Sequence, residues 1–177
     1  MSYYTLGNKR IVFNGQFLIG PNVYDDWFLP SRSELVYMHT NIANKGLGDM
    51  VFGSYWSSSE DNATEASRLS DGSGGGSLKS ILFKNRAARV FTAPEGAYSI
   101  STNGPAGGWI FHIVGTTYYE GAPFDNIDSA WSNITNVLVG STGINIGDGI
   151  TNTAAILAQP GHINSAAKLC ADLIIYN

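Results

Sequence analysis

The stretch Asp26-Trp27-Phe28-Leu29-Pro30-Ser31-Arg32-Ser33-Glu34-Leu35 constrains the fold more tightly than any other part of the chain. Trp27, Phe28 and Leu29 are three large apolar side chains in a row, enough to anchor a local core. Pro30 disfavours helix at Leu29 and fixes the turn that follows. Ser31 and Glu34 have capping-box spacing, so each side chain can satisfy the other's backbone amide. The spacing predicts a helix that starts at Arg32 and places Leu35, Met38 and Ile42 on one face. An anchor, a forced turn and a capped helix in ten residues form a folding nucleus, not a reactive site.

A chain of 177 residues is one domain, or one domain with an arm, and can bury a real core. Only 14% of its residues are charged, against ~25% in a typical domain, while 21 are glycine. That balance suits a loop-rich, strand-containing protein with a polar rather than charged surface. The net charge of −4 includes no basic stripe, which argues against nucleic acid as a partner. Cys170 is the single cysteine, so neither an internal disulfide nor a multi-thiolate metal site can form. The first residues, MSYYTLGNKR, lack the apolar core of a secretory signal, and no apolar run approaches the ~20 residues that span a bilayer. The expectation is a chain made in a cytoplasm and released by another route, such as assembly into a virus particle followed by lysis.

Asn14-Gly15 between two short apolar runs predicts a hairpin with strands at 9–13 and 16–19. Tyr3 and Tyr4 ahead of it could pack on the body or reach a neighbouring subunit. After a helix-ending loop at 44–48, Gly53 to Glu60 starts aromatic and turns polar, the pattern of a strand leaving the core. The polar segment 61–80 contains Asp71-Gly72-Ser73-Gly74-Gly75-Gly76-Ser77, read as a flexible connection. Strands are expected at 78–83, at 86–92 and, as the central strand, at 109–114, with a linker or long loop over 95–108. Residues 118–126 read as a turn-rich connection, and 152–157 and 165–173 as helices. An ordinary domain would be expected to continue beyond a last helix that ends four residues from Asn177.

Asp26-Trp27-Phe28-Leu29-Pro30-Ser31 with Glu34-Leu35, followed by Tyr55-Trp56-Ser57-Ser58-Ser59-Glu60, resembles the DUF1566 family. These are C-type-lectin-like domains that include the C-terminal domain of a Legionella collagen-like adhesin. The family ends in a strand with a VRxVR pattern. Arg86 and Arg89 have that spacing, with Asn85 and Ala88 where valines are usual. The segment Gly107-Gly108-Trp109-Ile110-Phe111 resembles the family's first strand. Tyr119 to Pro123, Trp131, Ile146 to Gly149, Asn152-Thr153 and Ala166 to Leu173 follow in family order. The two blocks are exchanged here, since residues 107–177 would normally precede 25–93.

The resemblance thus implies an α+β, C-type-lectin-like fold with a small, twisted, mostly antiparallel sheet, two or three helices and long loops, circularly permuted. Residues 1–24 would form an arm and 25–177 one domain, with 94–106 joining the usual ends. In the alternative, the second block of one protomer completes the first block of the next by domain swapping. Trp27, Phe28, Leu29, Ser31, Glu34, Trp56, Arg86, Arg89 and Trp109 would be structural. The rotated order predicts that Asn177 lies near Asp25, that strand 109–114 pairs with strand 86–92, and that the 9–19 hairpin is an appendage or assembly contact.

No reactive constellation stands out. His39, His112 and His162 share no metal-ligand spacing, and Cys170 lies on an Ala/Leu helix face as a small hydrophobe. Ser57-Ser58-Ser59 has no glycine-framed elbow. The 72–79 segment lacks the Gly-Lys-Ser/Thr ending of a phosphate loop. The formylglycine-generating enzymes of the same fold resemble a paired-cysteine copper site, which one cysteine cannot supply. The calcium tripeptides of sugar-binding lectins are only brushed by Gly20-Pro21-Asn22 and Gln159-Pro160-Gly161, so neither a metal nor a cofactor is expected. The sequon matches at Asn62 and Asn133 are chance on this reading.

Binding remains. In this fold the loops after the Trp-Ser-Ser segment form an exposed face, here about 60–84. Glu60, Asp61, Asn62, Glu65, Arg68, Asp71, Ser73 and Lys79 supply mixed donors and acceptors suited to glycan or protein recognition. The expected function is a non-enzymatic structural or receptor-binding protein of a bacteriophage particle, located on the virion. Its expected partners are copies of itself, other virion proteins or a host-surface glycan or protein, without membrane insertion. The alternative is a bacterial surface or secreted adhesin, with an enzyme of unrecognised type ranked third.

Overall fold

A computed structural model describes the backbone of residues 11–13 and 16–18, and residues 21–50 and 53–177 in full. The Asn14-Gly15 turn and Tyr3 and Tyr4 lie outside the described residues. The elements run β1 (Ile11–Phe13), β2 (Gln16–Leu18), β3 (Val23–Tyr24), α1 (Arg32–Asn41), a 3-10 turn (Ala43–Lys45), β4 (Ser54–Glu60), β5 (Glu65–Ser70), β6 (Ser73–Leu78), β7 (Ala88–Thr92), β8 (Trp109–Val114), β9 (Thr117–Gly121), α2 (Asp148–Leu157), α3 (Ala166–Ala171) and β10 (Ile175–Tyr176). The architecture is α+β, with four small antiparallel sheets and three short α-helices among the described residues.

The capping box forms. The Ser31 amide donates to Glu34 Oε2 at 2.7 Å, and the Glu34 amide donates to Ser31 Oγ at 3.3 Å. Helix α1 starts at Arg32, and its face of Leu35 and Met38, continued by Ile42, is buried. Ahead of it Trp27-Phe28-Leu29 is extended, so its side chains alternate. Trp27 and Leu29 enter one core cluster with Trp56, Trp131, Ile156 and Cys170. Phe28 enters the other with Leu35, Met38, Tyr55 and Phe111. The tripeptide is a partition between two cores. It is tied to β7 by Phe28 and Ala88, which exchange backbone bonds of 2.8 and 2.9 Å. Both clusters draw residues from before and after residue 106, so 107–177 is not a separate domain.

Several sequence expectations are corrected. The glycine-rich 71–77 segment is not a flexible connection. Asp71 and Gly72, with φ of 47° and 86°, form the two-residue turn of a hairpin, and β6 pairs with β5 residue for residue from Ser70↔Ser73 to Glu65↔Leu78. Residues 78–83 are not a strand beyond Leu78, because Leu78 ends β6 and only an isolated bridge at Phe83 follows. The 118–126 connection contains β9, the centre of a sheet ordered β7-β9-β8. Strand β8 has the expected limits but is an edge, and it meets β7 only through β9 rather than pairing with it.

Residues 95–108 are not a loose linker either. Ser101 and Ile110 are bonded, Asn103 bridges Trp109, and Ala106 is buried. The buried Glu120 carboxylate accepts from the Ala106 and Gly108 amides at 3.0 and 2.9 Å, pinning this segment to β9. The serines of β4 do not leave the core: Ser57, Ser58 and Ser59 are all fully buried. Ser59 Oγ donates to the Gly143 carbonyl at 2.7 Å, and Asn152 Nδ2 donates to Ser58 Oγ at 3.0 Å. A polar strand is buried here because residues 142–152 complete its hydrogen bonds.

At the other end, β3 pairs with β10 in register Tyr24↔Ile175 and Val23↔Tyr176. Residues 175–177 therefore lie beside 22–24, as expected for Asn177 and Asp25. The described strands β1 and β2 form a two-stranded sheet of their own, matching the predicted hairpin.

Candidate functional site

An accessible cluster of polar side chains from the 60–84 region is built around β5 and β6. Directly paired residues share a face, and successive residues alternate. Tyr55, Leu69 and Gly74 therefore lie on the α1 side, together with Ser67, Gly76 and Glu65. The helix covers β4 and β5. Gly74 and Gly76 leave the strip above β6 without side chains of its own as far as Leu78, and neighbouring side chains occupy it. A methyl at Gly74 would lie 3.0 Å from an Arg32 guanidinium nitrogen. One at Gly76 would lie 2.8 Å from Asp61 Oδ2 and 3.6 Å from Glu65 Oε2. His39 stands over Gly72 in the same way, 3.2 Å from such a methyl. A row of His39, Arg32 and the Asp61/Glu65 pair thus runs along β6.

Burial raises the Asp61 carboxyl above the ordinary carboxylate range, with Arg32 opposing the rise and Glu65 adding to it. Below this row Ser67 is fully buried, and its hydroxyl has no hydrogen-bond partner. Arg68 points to the other face. It pairs with Gly75 and holds its guanidinium 5.8 Å from the Phe83 ring centre.

Of the candidate binding residues, Asp61, Asn62, Asp71 and Ser73 are exposed and Glu65 is half-buried. Asn62 shapes its own turn, with Oδ1 accepting from the Thr64 and Glu65 amides at 2.9 and 3.0 Å. Asp71 accepts from the Gly53 amide at 3.0 Å. Glu60 and Lys79 are not on the exposed face at all. They form a buried ion pair of 2.5 Å. Lys79 Nζ also donates to the carbonyls of Ala63 and Val137 at 2.9 and 3.1 Å and sits 4.9 Å from the Trp131 ring centre. Glu60 in turn accepts from the Val139 and Gly140 amides. Its place at the start of the 60–84 loop region put Glu60 among the ligand candidates, but the amides that it accepts from are 79 and 80 residues away in the sequence. Sequence reasoning missed Arg32 and His39 as neighbours of this row. The Asp71-Gly72 turn was the available signal, because a hairpin there sets Gly74 and Gly76 facing the start of α1.

The residues assigned structural roles are interior. Trp27, Phe28, Leu29, Ser31, Glu34, Trp56, Arg86 and Arg89 are buried and Trp109 is half-buried. Arg89 clasps Asp26 through Nε and Nη2 at 2.7 and 3.0 Å and reaches Glu120 at 3.1 Å. Arg86 bonds Asp125 at 2.6 Å, and its Nη1 donates to the Gly48 carbonyl. Burial pushes the Glu34 and Glu120 carboxyls up, against the amides and, for Glu120, the arginine that favour their charged forms.

Two clefts of about 380 Å³ open elsewhere. One is lined by Trp27, Phe28, Val90 and Leu157, the other by Leu82, Ile127, Ser165 and Leu169. Ser165 Oγ lies 2.9 Å from His162 Nε2, but the hydroxyl caps α3 by accepting from the Lys168 amide at 2.9 Å. The Cys170 thiol is fully buried, and burial pushes its pKa up, so it stays protonated. Among the described residues no three His, Cys, Asp or Glu side chains are grouped to hold a metal ion. No helix among them is long and apolar enough to cross a membrane. Comparison with family models, curated proteins and solved structures finds no match to this chain.

Proposed function

We propose that the chain is a circularly permuted C-type-lectin-like domain that serves as a non-enzymatic structural or receptor-binding protein of a phage particle. Its task is assembly with other virion proteins and recognition of a host-surface glycan or protein. One observation carries the permuted reading: Asn22 and Asn177 exchange backbone hydrogen bonds of 2.8 and 3.0 Å. A short turn between these residues would join β10 to β3 as an ordinary hairpin and restore the order in which 107–177 precedes 25–93. The shared cores support the same reading. Recognition is supported by the polar side chains around β5 and β6, where Asn62 before β5, Asp71 in the hairpin turn and Ser73 at the start of β6 stay exposed, while the carboxylates of Glu34, Glu60 and Glu120 are occupied by backbone amides.

The test has two arms. A reordered chain that runs from Gly107 to Asn177, through a short turn, into Asn22 and on to Ala106 should unfold cooperatively, with the circular dichroism of the original. Loss of cooperative folding would refute the permutation. Fluorescently labelled protein should stain bacterial cells in a manner competed by surface polysaccharide or protease treatment of the cells. Neighbouring capsid and tail genes would favour the particle, and secretion genes a bacterial adhesin.

A further inference from the structure

We propose that β6 is a self-pairing edge through which two copies of the chain join, antiparallel and centred on Gly75, into one continuous sheet. The strand ends its sheet among the described strands, in the order β4-β5-β6. Natural proteins usually protect such an edge with a charge, a proline or a bulge. The edge Ser73-Gly74-Gly75-Gly76-Ser77-Leu78 has neither charge nor proline, and it pairs with β5 without a register shift.

The hydrogen-bonding parity fits. The two-residue turn closes on the Ser70↔Ser73 pair, so Ser73, Gly75 and Ser77 direct their N–H and C=O groups to β5. The bond from the Lys79 amide to the Thr64 carbonyl follows the same alternation. Gly74 and Gly76 then direct theirs outward. With a two-fold axis at Gly75, Gly74 of each copy stands opposite Gly76 of the other, giving roughly four new backbone hydrogen bonds.

Side chains select that register. Arg32 stands over Gly74, and Asp61 and Glu65 stand over Gly76. The two-fold pairing therefore places the guanidinium of each copy against the carboxylates of the other, twice. A shift of the register by two residues loses both contacts. The row of charges along β6 is self-complementary, so a second copy is the occupant whose chemistry it matches. Glycine-rich strands hold register weakly, and reciprocal charges supply what the backbone lacks.

The test reads the oligomeric state of the full chain without any ligand, so its outcome is separate from that of the recognition reading. The protein should sediment as a dimer at about 100 µM in low salt, a concentration at which a modest sheet-edge contact is populated. Arg32→Glu and the double variant Asp61→Lys, Glu65→Lys should each weaken the dimer at least ~10-fold, and mixing the two should restore it as a heterodimer. Gly75 has open space around its missing methyl, so Gly75→Cys should fold. Across a two-fold axis its Cα atoms would lie ~4.5 Å apart, within the disulfide range, so mild oxidation should cross-link it. Gly75→Cys is thus the check on register, and the buried Cys170 does not compete. A chain that remains monomeric, a dimer insensitive to Arg32→Glu, or variants whose mixture stays monomeric would each overturn the proposal.

Discussion

Lys79 Nζ and Glu60 Oε1 lie 2.5 Å apart with both side chains out of water, at 0% and 3% exposure. The pair joins the end of β4 to the residue after β6, and through Val139 and Gly140 it fixes a loop from the far part of the chain. Its energetics are those of a buried ion pair, in which removing one partner strands the other. Lys79→Met should cost about 3–5 kcal/mol of stability. Chemical denaturation measures this directly, and a loss below about 1 kcal/mol would mean that the pair is solvated like a surface bridge.

Gly108 passes so close to β9 that a methyl there would collide with the Gly121 carbonyl and press on the Glu120 side chain. Backbone cannot yield as a flexible side chain can. Gly108→Ala should therefore destabilise by roughly 2–4 kcal/mol and release residues 102–108 from Glu120. Hydrogen exchange of the Ala106 and Gly108 amides would register that release. Unchanged protection in the variant would show that the segment is held by other contacts.

Burial lowers the His112 pKa, and the ring packs between Tyr37 and Tyr119, with centroids 4.4 and 5.5 Å away. The folded state takes up the proton less readily than the unfolded chain. The stability linked to His112 is therefore complete above the ordinary value of 6.5 and is lost as pH falls through the lowered folded value. His162 shifts in the same direction, chiefly through burial. His112→Phe should flatten part of the decline in melting temperature between about pH 7 and 5 while keeping the aromatic stack. An identical pH profile in the variant would remove His112 from the acid response.

Short-range physics made one part of the fold legible. The Ser31–Glu34 box and the buried face of α1 followed from spacings of three and four residues, and β8 from a dense apolar run. The Ser165 cap that starts α3 is equally local. The candidate site was legible only in region. Asp61, Asn62, Asp71 and Ser73 are exposed as expected, while Glu60 and Lys79 went inside because their partners could not be seen from their neighbours. Strand β9 was lost among turn residues. Its place between β7 and β8 comes from pairing on both sides, which no window of its own sequence contains.

By itself the sequence determined the Trp27–Leu35 nucleus, because its proline, its cap and its helix act over a few residues. It did not determine that Trp27 and Leu29 would face one core while Phe28 faced another, since that depends on what stands on each side. Tertiary structure alone decided that three serines would be buried, that a run of glycines would become an edge strand, and that β9 would stand between β7 and β8. The physical reason is common to all three. A backbone or polar group is stable in the interior, or ordered at an edge, only when distant segments complete its hydrogen bonds.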